Sequence, residues 1–179
     1  MAVAILGSAS SSYSANILIF SPASGSVNLG QTVTLEARID SVANLTDYQF
    51  DLLFDKTRFS PGIIADGTIF TGDIASDFFT PGTVSGGRIS GNANSLFEAS
   101  YITTTDGLLA TFTFTALSVG VGNFSFDLIN LFDHENQIAN GASGTAAITV
   151  TSDGVPEPAT WTLICAGILA AGLRRCRQP

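Results

Sequence analysis

Between Asn16 and Val150 apolar and polar residues alternate in short runs, separated by glycine, asparagine, aspartate and serine. A period of two marks a half-buried strand, because successive side chains point to opposite faces. Ile17–Phe20 is a first apolar run, and Ser21-Pro22-Ala23-Ser24-Gly25-Ser26 reads as the turn that ends it. From Thr32 to Ile39, Val33, Leu35, Ala37 and Ile39 share one face while Thr34, Glu36 and Arg38 share the other. Tyr48–Phe54 repeats this, with Tyr48, Phe50, Leu52 and Phe54 inward and Gln49, Asp51 and Leu53 outward, and is expected to be a central strand. Further strands are expected at Thr83–Ser85, Ser95–Thr103, Gly107–Leu117, Gly122–Leu131 and Thr145–Val150. Within the third of these, Leu109, Thr111 and Thr113 fall on one face and Ala110, Phe112 and Phe114 on the other.

No window of about a dozen residues holds a helical period before Pro156. About nine short strands therefore predict an all-β, two-sheet sandwich. Thirteen phenylalanines would supply much of its core volume. Gly82, Gly86, Gly87 and Gly91 read as a twisted turn between strands; no lysine or helix follows, so they are not a phosphate loop.

The pattern changes at the C-terminus. Pro156-Glu157-Pro158 is extended and exposed by its two prolines, and the run from Ala159 to Leu173 carries no charge. As a helix that run spans roughly 22 Å, short for a bilayer core of about 30 Å but within reach once flanking arginines snorkel. Trp161 suits one interface, and Arg174, Arg175 and Arg177 form a basic stop at the cytoplasmic one, leaving the domain outside. A helix of this kind packed against the domain is the alternative. The three elements in this order resemble the bacterial PEP-CTERM sorting signal. That resemblance implies a Gram-negative host, recognition of an inner-membrane precursor by an exosortase, removal of the tail near the motif, and delivery to the envelope, the exopolysaccharide matrix or the medium. At the other end, Ala2–Leu6 and the small residues through Ser12 resemble the end of a signal peptide without its basic start, cleaved after Ala9 or Ala15. The expected organisation is a signal remnant (1–15), a sandwich (16–150), a linker with the motif (151–158), a transmembrane helix (159–173) and a basic tail (174–179).

A second resemblance covers the domain. Gly30-Gln31-Thr32-Val33, then Asn44-Leu45-Thr46-Asp47-Tyr48-Gln49-Phe50-Asp51-Leu52-Leu53-Phe54-Asp55, then Gly107-Leu108-Leu109-Ala110-Thr111-Phe112-Thr113-Phe114 with Gly120-Val121-Gly122 are similar to cohesin domains. Lys56 stands where many members have proline. The resemblance implies a jelly-roll-like sandwich that binds a helical dockerin module on one flat sheet face. By alignment the candidate partner face is Asp47, Gln49, Asp51 and Leu53; an ordinary solvated strand face is the alternative.

Charge and chemistry narrow the function class. Both cysteines, Cys165 and Cys176, lie in the tail, so no disulfide can staple the domain. Up to Asp153 only Arg38, Lys56, Arg58 and Arg88 oppose fourteen acids, a net charge near −10 that argues against nucleic acid. Asp127, Asp133, His134 and Glu135, and separately Asp66, Asp73 and Asp77, are the acidic groups to test for calcium. Neither group has the alternating spacing of a calcium loop, and no cofactor is expected. One histidine, without an aligned nucleophile or a second ligand, supports neither a catalytic triad nor a zinc site. The reading is an exported, non-enzymatic protein-binding or matrix module. The alternative is a carbohydrate-binding or structural matrix protein, although the domain holds no tryptophan for a stacking platform.

Overall fold

Strict alternation of the two runs at Thr32–Ile39 and Asp47–Phe54 gives each sheet one of its interior strands. The computed structural model describes residues 16–70, 78–96, 101–104, 106–133, 136–138 and 140–152, among which there is no helix. In chain order the strands are β1 Asn16–Ser21, β2 Ser24–Asn28, β3 Thr32–Ile39, β4 Val42–Leu45, β5 Asp47–Phe54, β6 Phe59–Asp66 and β7 Thr83–Ser85. They continue with β8 Arg88–Ser95, β9 Ile102–Thr104, β10 Gly107–Ala116, β11 Gly120–Asp133, β12 Asn136–Ile138, β13 Asn140–Ser143 and β14 Thr145–Thr151. One sheet has the order β13-β1-β3-β10-β6, and the other β2-β14-β11-β5-β8-β7 with β12 hairpinned onto β11. A small β4-β9 pair covers one end.

The inner faces are those the alternation predicts. Leu35, Ala37 and Ile39 are fully buried, as are Tyr48, Phe50 and Leu52. β5 is a central strand, paired with β11 on one side and β8 on the other. No helix occurs among the described residues, in agreement with an all-β fold. The signal remnant and the tail from residue 153 lie outside the described residues.

Fourteen strands rather than about nine are present among the described residues, and the additions have local causes. The chain after Pro22 does not simply turn: β1 belongs to one sheet and β2, paired parallel to β14, to the other. β6 contains Pro61, which a ladder tolerates only at an edge, and β6 is an edge strand. There the Thr113 hydroxyl accepts from the Ile63 amide at 2.6 Å and donates to the Ile63 carbonyl at 3.0 Å, replacing ladder bonds at a bulge. The expected strand Ser95–Thr103 is not one element: β8 ends at Ser95, β9 begins at Ile102, and they belong to different sheets.

The glycine-rich turn is partly a strand as well. Gly86 and Gly87, both at positive φ, form a two-residue hairpin loop between Ser85 and Arg88, and Gly91 lies inside β8. β8 escapes an alternation search because it is inverted: Asn92 and Asn94 are buried while Ala93 faces outward. The Asn94 amide donates to the Asp66 carboxylate at 3.0 and 3.2 Å, which makes its burial tolerable.

The predicted two-faced pattern of β10 breaks at Leu109. Leu108 pairs with Arg38 and Ala110 with Ala37, so Leu109 is an extra residue and both it and Ala110 are buried. Its carbonyl accepts from the Gly67 amide at 3.0 Å and from the Tyr48 hydroxyl at 2.5 Å, which crosses from the facing sheet. Gly67 must lie this close: a Cβ there would stand 2.0 Å from the Leu108 carbonyl oxygen.

Two stability outcomes follow from this core. Phe50 stacks on Tyr48 at 5.9 Å and meets Phe126 edge-on at 5.3 Å, so Phe50→Ala is expected to cost about 3–5 kcal/mol in urea unfolding. A loss below about 1 kcal/mol would place β5 wrongly. Tyr48→Phe keeps the ring and removes one buried hydrogen bond, so the same measurement should show a loss of about 1 kcal/mol. No loss would mean that the Gly67 amide alone satisfies the Leu109 carbonyl.

Candidate functional site

The side chains of β5 that point away from the core are Gln49, Asp51 and Leu53, preceded by Asp47 at the strand's start. Cross-strand register builds the rest of this face. Asp47 lies opposite Ser95 and Phe132, Gln49 opposite Ala93 and Asn130, and Leu53 opposite Arg88 and Ser125. The four candidate residues therefore run along the middle of one sheet face.

They are not equivalent. Asp47 and Leu53 are half-buried, and the Asp47 carboxylate accepts from the Thr46 hydroxyl at 2.7 Å. Gln49 is half-buried. Asp51, read from the sequence as an outward side chain, is only 3 % exposed. Its Oδ2 accepts from Arg88 Nε at 2.7 Å and its Oδ1 from the Gly91 amide at 2.7 Å, and Arg88 Nη2 stands 2.6 Å from Oδ2. Arg88 Nη2 also reaches the exposed Asp127 carboxylate at 2.9 Å. One guanidinium thus bridges two carboxylates on neighbouring strands, and those bonds, first of all the one to Asp51, hold its pKa above the ordinary arginine range.

Both neighbours of β5 bulge at this point. On β8 the register slips between the Phe50 and Leu52 pairings, where Gly91 at φ 73° turns its amide onto Asp51. On β11 it slips between Asp127 and Asn130, where Leu128 adopts φ 45°. A leucine in the left-handed region is strained, and this one is 53 % exposed. Beyond Gln49 the face sinks into a depression of about 400 Å³ lined by Asp47, Gln49, Phe78, Ala93, Ser95 and Phe132 among others.

The sequence reading placed the β5 residues but missed Arg88, Asp127 and Leu128 as parts of the same face. The Gly86-Gly87 pair, a strong hairpin signal, could have put Arg88 at the start of a strand beside β5. No sequence signal announced the bulge at Leu128. Among the described residues no group of three or more His, Cys, Asp or Glu side chains is placed to hold a metal ion. Asp73, Asp77, His134 and Glu135 lie outside the described residues, as do the sorting-motif prolines and the tail arginines. No described helix is long and apolar enough to cross a membrane.

Comparison with known proteins agrees with the fold. Residues 20–155 match the cohesin domain family, and residues 154–178 match the PEP-CTERM protein-sorting motif. No curated protein matches the chain. Among solved structures, the CaCohA2 cohesin of Clostridium acetobutylicum is similar at 22% identity and a TM-score of 0.60, covering 76% of this chain and 91% of its own. A non-cellulosomal cohesin from the archaeon Archaeoglobus fulgidus is 13% identical with a TM-score of 0.63, covering 79% of this chain and 94% of its own. A type I cohesin–dockerin complex, Coh-OlpC-Doc435 of Clostridium thermocellum, is similar at 13% identity and a TM-score of 0.62, with 82% of this chain and 99% of that one covered. The chain belongs to the cohesin domain family, and a PEP-CTERM protein-sorting motif follows the domain.

Proposed function

We propose that this protein is an exported cohesin whose outer face on β5, β8 and β11 binds a dockerin-like helical module. The observation that carries the reading is the strained, exposed Leu128 beside the Arg88 bridge. Backbone strain that leaves an apolar side chain in solvent costs stability, and such strain clusters at binding surfaces. Leu128, Leu53, Phe132 and the exposed Phe78 supply apolar contact, while Asp47, Gln49 and Asp127 supply polar edges, a mixture suited to a protein helix. Asp51 serves the face from beneath, holding Arg88 in place.

The tail would act before this binding. Pro156-Glu157-Pro158 is the segment an exosortase would inspect, 159–173 the transmembrane helix, and Arg174, Arg175 and Arg177 the cytoplasmic stop. A Gram-negative host and delivery to the envelope or its exopolysaccharide matrix follow from this reading.

The burial of Asp51 decides which variants test the face. Asp51→Arg would leave Arg88 facing a second cation and damage the sheet, and Leu53 lies directly opposite Arg88, so Gln49→Arg and Leu53→Glu are the informative changes. In pull-downs with the exported, processed protein, each should abolish capture of a dockerin-bearing partner without lowering stability by more than about 0.5 kcal/mol. Capture unchanged in both, or retention of polysaccharide instead, would favour the carbohydrate-binding or structural alternative. Leu128→Gly should raise stability by about 1 kcal/mol, by relieving the left-handed strain, while weakening the same partner. Intact-mass measurement addresses sorting: the exported form should end near the motif when an exosortase is present. Retention of Trp161 through Arg177 with and without that enzyme would make the tail a plain anchor.

A further inference from the structure

Four of the exposed large apolar side chains gather at one end of the sandwich. Leu29, Leu117, Val119 and Val121 are each between 42 and 54 % exposed. Backbone bonds tie them to one rim. The Leu29 amide donates to the Thr151 carbonyl at 2.8 Å, the Gly30 amide to the Ala116 carbonyl at 2.9 Å, and the Leu117 amide to the Arg58 carbonyl at 2.7 Å. Arg58 donates to the Ser118 hydroxyl at 3.2 Å and to the Val119 carbonyl, and Val121 lies opposite Thr149. Lys56, in the same turn as Arg58, is exposed and makes no ion pair among the described residues, whereas Arg58 stands 4.0 Å from the Asp55 carboxylate of that turn, which leaves the turn with one net positive charge. The opposite end, where β3 runs into Asp40 and β5 begins at Asp47, carries Asp40, Asp47, Asp106 and Asp133, with Arg38 already paired to Asp106 and Glu36. An acidic domain thus has one apolar end bearing a free lysine.

That end is also where the chain leaves for the tail. β14 finishes at Thr151, and residues 152–158 alone separate it from Ala159. Fully extended, seven residues reach at most about 25 Å. With 159–173 in the bilayer, the Thr151 end can stand no farther than that from the hydrocarbon boundary, and headgroups fill roughly 5–8 Å of the gap. The ten residues of β10, which runs between the two ends, keep the acidic end about 30 Å farther away.

We infer that in the precursor the Leu29, Leu117, Val119 and Val121 rim, with Lys56 and Arg58, rests on the surface of an anionic phospholipid bilayer. This rests on the reading of 159–173 as a membrane segment. Apolar tips enter the interface, and the unpaired Lys56 faces anionic headgroups while the acidic end is repelled. Docked in this way, the domain would hold the segment around Pro156-Glu157-Pro158 close to the membrane until the tail is removed. The candidate partner face on β5 stands upright beside the bilayer, accessible from the side.

The test uses the full chain with Cys165→Ser and Cys176→Ser, reconstituted into phosphatidylethanolamine–phosphatidylglycerol vesicles. An environment-sensitive fluorophore is attached at Val119→Cys or, at the far end, at Thr103→Cys. Trp161, the only tryptophan, reports tail insertion through quenching by brominated lipid. The expected result is quenching of Trp161 and of the label at 119, with the label at 103 unaffected. Lys56→Glu should shift the docked fraction about fivefold toward undocked, and phosphatidylcholine vesicles should do the same. Quenched Trp161 with a label at 119 that stays in a water-like environment would overturn the docking and leave the tail reading standing. Unquenched Trp161 would overturn both. Docking that survives Lys56→Glu and neutral lipid would remove the electrostatic part and overturn the proposal as stated.

Discussion

Phe114 and Phe124 lie 4.9 Å apart across the gap between the sheets, and most of the core is arranged around that contact. Phe54 meets Phe114 at 5.2 Å, Phe59 meets Phe124 at 5.0 Å, and Phe20 stacks on Phe126 at 4.0 Å. Each pair joins a strand of one sheet to a strand of the other. Sheets packed face to face stand about 10 Å apart, a gap that interlocked aromatic rings fill well. No cysteine lies in the domain, so nothing covalent duplicates this contact. Two of the buried polar groups, the Asn94 amide on Asp66 and the Tyr48 hydroxyl on the Leu109 carbonyl, find partners where a strand bulges or reverses its pattern.

Interior strands were legible in the sequence because burial on one face enforces alternation; β3, β5 and β10 are the cases. β7 was legible despite its exposure. The strands that were missed obey other constraints. β6 hides behind Pro61 and Gly62, which an edge position permits, and β8 buries asparagines and exposes an alanine. β2 and β13 are short crossover pieces whose existence depends on parallel pairing between chain segments far apart in sequence. Periodicity within a single segment carries no information about such pairing.

The candidate face was legible to the same extent. Gln49, Asp51 and Leu53 share a face because the period of a strand is two, and that much is local. Whether an outward side chain is exposed depends on its neighbours across the sheet. Arg88 lies thirty-seven residues beyond Asp51 and covers it, so an aspartate read as surface is nearly sealed. Leu128 shows the converse. Its place in an apolar run suggests a core residue, but the register slip between Asp127 and Asn130 turns it out to solvent.

These two departures meet at one place, and that is a physical argument for treating the place as built. A bulge on one neighbour of a strand is common; bulges on both neighbours, flanking the same buried aspartate, twist the sheet locally and re-aim the side chains around it. The Arg88 bridge then ties all three strands together at the twist. A charge network near a surface adds little to stability on its own, because solvent screens it and the long side chain loses rotational freedom. Its stronger effect is geometric, since it fixes where Asp127, Gln49 and Leu128 stand relative to one another. A surface held rigid before it meets a partner loses less entropy on binding, so the strain at Leu128 is consistent with affinity gained at the expense of the domain's own stability.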